Sequence, residues 1–307
     1  MGLRKTTKKY FFLLRLHLRF FTDQRAKNIE PDNYANLIVL NPLPKVNIDI
    51  PKIIWMYWDN QRPEFIEKCI KNVQDLNPAY QLIILNNDNL HEYSNINFSK
   101  YPQLTPQLQS DLLRLDLLYR HGGIWLDASI ILYQSLDWIE ELCHTNHTSS
   151  FGYYRSENTT VKKFPVIESW LLATEKNNPF FKLWFDELDY AVKFGIKNYI
   201  QEIESTYSNH HEYFQNIGLL EYLVIYVACQ KVQRKYQVSF SLINCDKNAF
   251  LYQNLNGFSN IHFIESLILN LRPQTMPHLI KLIGADRRVL MPFIHKKRIK
   301  EHSLLDF

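Results

Sequence analysis

From Pro51 onward, short apolar runs alternate with stretches of helical spacing. Ile53–Trp58 is an unbroken apolar run of strand length, which predicts a buried strand. Pro63–Leu76 places Phe65/Ile66, Cys69/Ile70, Val73 and Leu76 at helical intervals, and Asn77-Pro78 ends the helix. Tyr80–Leu85 reads as a second strand. Pro106–His121 reads as a helix closed by Gly122-Gly123, and Ile124–Leu132 as a strand with Asp127 inside it. This β-α-β-α-β rhythm predicts an α/β fold with a mostly parallel central sheet. Further helices are expected over 179–194 and 211–234. Residues 28–50 read as a linker, 51–290 as the folded domain and 291–307 as a basic tail.

The first 27 residues break the rhythm. Nine of the twelve residues from Tyr10 to Phe21 are apolar, but Arg15, His17 and Arg19 interrupt them, so the run is too short and too charged to span a bilayer. No small-residue cleavage site follows, which argues against a signal peptide. Drawn as a helix, Arg4, Lys8, Arg15 and Arg19 form one stripe on an otherwise apolar surface, a pattern suited to an anionic membrane surface. A helix docked on the protein's own body is the plainer alternative.

Charge sharpens the division. The whole chain carries +4, yet residues 1–27 hold eight basic side chains against the single acid Asp23, leaving the remaining 280 residues at −3. A mildly acidic body does not suit nucleic-acid binding. The eight glycines form neither a dinucleotide fingerprint nor a P-loop. Cys69, Cys143, Cys229 and Cys245 are scattered, so neither a disulfide framework nor a thiolate zinc site is expected, and a reduced, cytoplasmic setting is the default.

The densest chemistry lies between Ser110 and Ser129. On a helical wheel Leu108, Leu112, Leu115, Leu118 and Tyr119 form the apolar stripe, with Asp116 and Arg120 paired on the solvated side. Asp111 and Arg114 sit on the shoulder of that stripe, where an ion pair costs desolvation unless it is fully bonded or functional. A partly buried structural ion pair is the alternative. Asp127 emerges at the carboxyl end of its strand, where ligands of open α/β sheets bind. With Ser129 two residues on, it suits a hard cation, Mn²⁺ or Mg²⁺. An Asp capping the following turn is the alternative.

The run Ser110-Asp-x-x-Arg114, followed by Gly122-Gly-Ile-Trp-Leu-Asp-Ala-Ser129, resembles the signature of capsular polysaccharide synthesis proteins, bacterial relatives of glycosyltransferase family 32 and of clostridial-toxin sugar transferases. Pro51–Trp58 resembles the family's opening strand, and Glu168-Ser-Trp170 with Asn178-Pro179 its middle section. The resemblance implies a GT-A-type, Rossmann-like fold and a retaining hexosyltransferase using a UDP-sugar donor. It places Asp127, Asp111 and Arg114 in the catalytic site, with Trp55 on the uracil and Ser110, Gly123 and Lys281 also at the donor. Asp127, Ser129 and His278 would hold the divalent cation, with Ser129 standing where the toxins have a second Asp. A lone His is also a common structural residue. The implied acceptor is a lipid-linked glycan of capsular or exopolysaccharide synthesis, reached from the inner face of the cell membrane. A lipopolysaccharide or protein glycosyltransferase, a sugar-phosphate transferase, and an inactive nucleotide-sugar-binding scaffold are the alternatives.

Overall fold

The computed structural model describes residues 10–12, 14–16, 18–21, 30–34, 36–44, 48–101, 104–296 and 299–307. Its central sheet has seven strands. In spatial order they are β3 (Gln81–Leu85), β2 (Ile53–Tyr57), β4 (Gly123–Leu126), β7 (Ile167–Thr174), β6 (Ser150–Tyr154), β8 (Phe240–Asn244) and β1 (Ile38–Leu40). Five strands run in one direction, and β7 and β1 oppose them. The α/β class and the mostly parallel sheet are therefore present.

Strand alternation splits the core in two. Ile54 and Met56 face one side of the sheet, with Ile124 and Leu126 beside them; Trp55 and Trp125 face the other. The first side is covered by α2 (Glu64–Leu76), α4 (Asp137–Asn146), α9 (Leu251–Leu255), α10 (Asn260–Leu269) and α11 (Gly284–His295). The second carries α3 (Pro106–His121), α5 (Pro179–Phe194), α6 (Ile196–Thr206), α7 (His210–Phe214) and α8 (Val224–Lys235). Covering both faces makes strands read as continuous apolar runs, which is how β2 reads.

The helix α3 keeps its expected bounds because both ends are specified. Thr105 Oγ1 accepts from the Leu108 amide, Pro106 opens the first turn, and Gly122 at φ +68° closes it. Gly123, at φ +88°, then starts β4. A Cβ there would stand 2.6 Å from the Ile53 carbonyl oxygen, so the pair is required by close approach as well as by turn geometry.

Several expectations need correction. Ile124–Leu132 is not one strand: β4 ends at Leu126, and β5 (Ile130–Leu132) leaves the central sheet to pair with β9 (Leu279–Lys281). The 211–234 helix is two helices, α7 and α8, separated by residues 215–223, where Gln215 takes a positive φ. Asp116 is buried: Ser94 Oγ, from the segment after β3, at 2.6 Å and Arg120 Nε at 2.7 Å satisfy its carboxylate. Residues 28–50 are more than a linker, since β1 extends the sheet through β8 and Ile48 and Ile50 are buried. The basic tail folds back: Ser303 bridges to Leu271, and Leu304 and Leu305 are fully buried. Lys297 and Arg298 lie outside the described residues.

Residues 10–12, 14–16 and 18–21 form the N-terminal helix, α1. It docks on the body through buried Phe12 and Leu16. Arg15 and Arg19, both half-exposed, pair with Glu265 of α10, so this half of the basic stripe is tied to the body. Arg4 and Lys8 lie outside the described residues. The four cysteines are all free and buried.

Gly123→Ala should destabilise the chain by about 1–3 kcal/mol from backbone strain alone, more with the Ile53 clash. Urea unfolding midpoints measure this, and a wild-type midpoint would show that the β2–β4 approach has slack.

Candidate active site

The parallel crossovers put β3 and β4 on opposite sides of β2, which creates a topological switch point at their carboxyl ends. A cleft of about 440 Å³ opens there, within the usual range for small-molecule sites, about 300–1,000 Å³. Tyr57–Gln61 line it from the end of β2, Gln107, Ser110 and Arg114 from α3, Asp127–Ser129 from the end of β4, and Lys281–Gly284 and Arg287 from β9 and α11.

Asp127 occupies the centre. Its amide donates to the Trp170 carbonyl at 2.9 Å, and its carbonyl accepts from Ile130 at 3.1 Å, so the backbone turns here and releases β5 from the sheet. One carboxylate oxygen accepts from Trp125 Nε1 at 3.1 Å and lies 3.6 Å from Arg114 Nη2. The other accepts from Lys281 Nζ at 2.7 Å. Burial alone would raise this carboxyl, but Lys281 and Arg114 hold it below the usual carboxylate range. Burial lowers the Lys281 ammonium against the opposing pull of Asp127.

Arg114 is fixed on every side. It bonds the Ser169 carbonyl at 2.7 Å, Ser169 Oγ at 2.6 Å and Ser110 Oγ at 3.2 Å, pairs with Asp111 at 3.1 Å, and stands 4.9 Å from the Trp125 ring. Asp111 lies behind it and does not line the cleft. Its Oδ2 has no partner, and burial pushes the carboxyl up to about 6, against Arg114 and with help from Asp127.

Ser110, Arg114, Asp127, Ser129 and Lys281 thus meet at the cleft. Four expected residues do not line it: Asp111, behind Arg114, and Trp55, Gly123 and His278. Trp55 is buried two residues before the strand end, where its Nε1 donates to the Gly122 carbonyl at 2.9 Å and its ring packs on Tyr93 and His121. Gly123 is inside the sheet and serves the turn. His278 is buried against Trp138, ring centroids 4.0 Å apart, and burial lowers its imidazole to about 4. The plain packing readings therefore hold for Trp55 and His278. The sequence reading missed Tyr57, Trp58, Tyr222 and Arg287. Strand length marks the first two, since side chains just beyond a carboxyl end face such a cleft.

The donor set does not fit a divalent cation. Lys281 Nζ lies between the two expected ligands, 2.7 Å from Asp127 and 3.4 Å from Ser129 Oγ. Ser129 also donates to the Leu282 carbonyl at 3.0 Å. Among the described residues, no group of three or more His, Cys, Asp or Glu is placed to hold a metal.

A family model described as capsular polysaccharide synthesis protein matches residues 18–260. The chain is 26% identical over 157 residues to the O-glycosyltransferase braB of Annulohypoxylon truncatum, covering 44% of this chain and 36% of that protein. It is 31% identical over 127 residues to inositol phosphoceramide mannosyltransferase 3 of Schizosaccharomyces pombe, covering 38% of this chain and 34% of that one. The chain thus spans about a third of the length of these relatives. A loose structural likeness, TM-score 0.35 at 14% identity, links 94% of this chain with 89% of the PaToxG glycosyltransferase chain.

The folded state keeps the Asp111 proton up to about pH 6, whereas an unfolded Asp releases it near 4. The stability this contributes is complete below pH 4 and is lost as pH rises toward 6. Asp111→Asn should therefore show a flatter pH–stability profile between pH 4 and 6 in urea unfolding. Parallel profiles for the two proteins would contradict the raised carboxyl.

Proposed function

Because the chain belongs to the capsular polysaccharide synthesis protein family, we propose that it is a glycosyltransferase that moves a hexose from a UDP-sugar to an acceptor hydroxyl with retention at the anomeric carbon. The observation that carries this reading is the cleft at the switch point, where one carboxylate is held between two buried cations. Tyr57 and Trp58 offer aromatic surface for a base at the mouth. Arg114 and Asp127 present fixed hydrogen-bonding groups to the donor sugar, and Asp111 positions Arg114 from behind. Catalysis is then mainly electrostatic, from charges oriented before the donor arrives.

The acceptor in this reading is a lipid-borne glycan, a chemistry in keeping with a relative named as an inositol phosphoceramide mannosyltransferase. Among the described residues no helix is long and apolar enough to cross a membrane. The outer side of α1 nevertheless exposes Tyr10, Phe11, Leu14, Leu18 and Phe21, with Phe11 at 71% and Phe21 at 75%. These side chains would enter the interface of a membrane's inner face, with Arg4, Lys5, Lys8 and Lys9 of the preceding sequence supplying attraction to anionic lipid.

Two experiments test this. In a screen of UDP-sugars for turnover, Asp127→Asn should lower kcat by at least about 100-fold with its circular dichroism unchanged; full activity in that variant would remove the assigned site. In sedimentation with anionic vesicles, the full chain should pellet, and replacing Phe11, Leu14 and Leu18 with Ser should release it. Equal pelleting of both proteins would mean α1 is not the anchor.

A further inference from the structure

Lys281 occupies the space between Asp127 and Ser129 that a divalent cation would need, and the fold pins it there. Its backbone pairs with Ile130 across β5–β9. Its amide donates to the Ala249 carbonyl at 3.1 Å, and its carbonyl accepts from Gln253 Nε2. The side chain is buried, so displacing it would leave an ammonium without its carboxylate partner, a costly outcome. Asp127 already faces Arg114 as well, and a third cationic centre there would meet two positive charges at short range. Arg287, one turn into α11, faces the same cleft and lies 5.4 Å from the Trp58 ring.

We infer that this chain transfers sugar without a divalent cation, with Lys281 taking the metal's place and Arg114 and Arg287 completing the charge that receives the leaving diphosphate. The inference rests on the nucleotide-sugar reading above. In the step itself, the bond between the anomeric carbon and the β-phosphate oxygen breaks, and its electron pair stays on the diphosphate. The new bond joins that carbon to the acceptor oxygen, whose proton passes to a diphosphate oxygen. The charge that develops falls on the diphosphate, which Lys281 and Arg287 face from β9 and α11. A lysine and an arginine can take up phosphate charge as fixed partners of the fold.

The test uses the full-length chain stripped of metal. Titration with Mn²⁺ alone should give no binding and no shift in Tm; a single Mn²⁺ site in the wild type that Asp127→Asn removes would overturn the inference. Titration with UDP should give the same Kd in EDTA as in Mn²⁺, and turnover of the donor found in the screen should survive EDTA. Loss of both in EDTA with recovery on Mn²⁺ would overturn it equally. Lys281→Ala should weaken UDP by at least about tenfold, about 1.4 kcal/mol, while leaving uridine binding unchanged. Lys281→Arg should recover part of that loss, which a merely structural lysine would not predict. Failure of every nucleoside diphosphate to bind under all conditions would sink the donor reading, while the Mn²⁺ titration still decides the metal question.

Discussion

A chain of alternating charge runs through the molecule from Asp111 to Arg114 to Asp127 to Lys281, and the other parts of the site are arranged around it. Its members come from three structural layers: α3 gives the first two, the end of β4 the third, and β9 the fourth. Buried ions are costly unless paired and hydrogen-bonded. Here Ser110, Ser169 and Trp125 supply the additional bonds, and only Asp111 Oδ2 is left without one. The chain ties the second sheet to the first, since Asp127 follows β4 and Lys281 ends β9. Separation of the two sheets would break the Asp127–Lys281 contact and leave both charges desolvated.

The fold was legible where local chemistry decides it. Thr105-Pro106 and Gly122 fixed the ends of α3, and the apolar run of β2 followed from burial on both faces. The break after Leu126 was not legible, because Ile124–Leu132 is apolar throughout except at Asp127 and Ser129, and nothing local says that β5 changes sheets. Asp116 was misplaced for a related reason. A wheel separates apolar from polar positions but does not show that Ser94, from the segment after β3, reaches the polar side.

At the site, Ser110, Arg114 and Asp127 were readable because one helix, one glycine turn and one strand deliver them within eighteen residues of sequence. Lys281 also met them, but its contact with Asp127 depends on the β5–β9 register, about 150 residues downstream by chain and invisible to spacing. His278 failed as a ligand because Trp138 covers it, and Trp55 failed because its strand carries on for two more residues before the cleft opens. The N-terminal stripe failed by half. Arg15 and Arg19 have the spacing of a surface stripe, yet their partner Glu265 is about 250 residues away, so these half-exposed cations are tied to the body while Tyr10, Phe11 and Phe21 face outward.

Charge counting shows what the lysine changes. With every group ionised, Arg114, Lys281 and Arg287 are balanced by Asp59, Asp111 and Asp127, which leaves no net positive charge for a diphosphate. Asp111 lies behind Arg114, however, with a carboxyl already raised to about 6. An anion bound on the cleft side of Arg114 competes for the guanidinium and repels the carboxylate, and both effects favour the protonated acid. The reserve of positive charge is therefore coupled to the occupancy of the cleft. A metal would bring two charges with the ligand and leave with it, whereas these cations are assembled once, at folding, and their desolvation is offset by Asp127 until the diphosphate arrives. On this arrangement Asp127 keeps two buried cations oriented in the empty site, and its value to the donor lies in that orientation as much as in any direct contact.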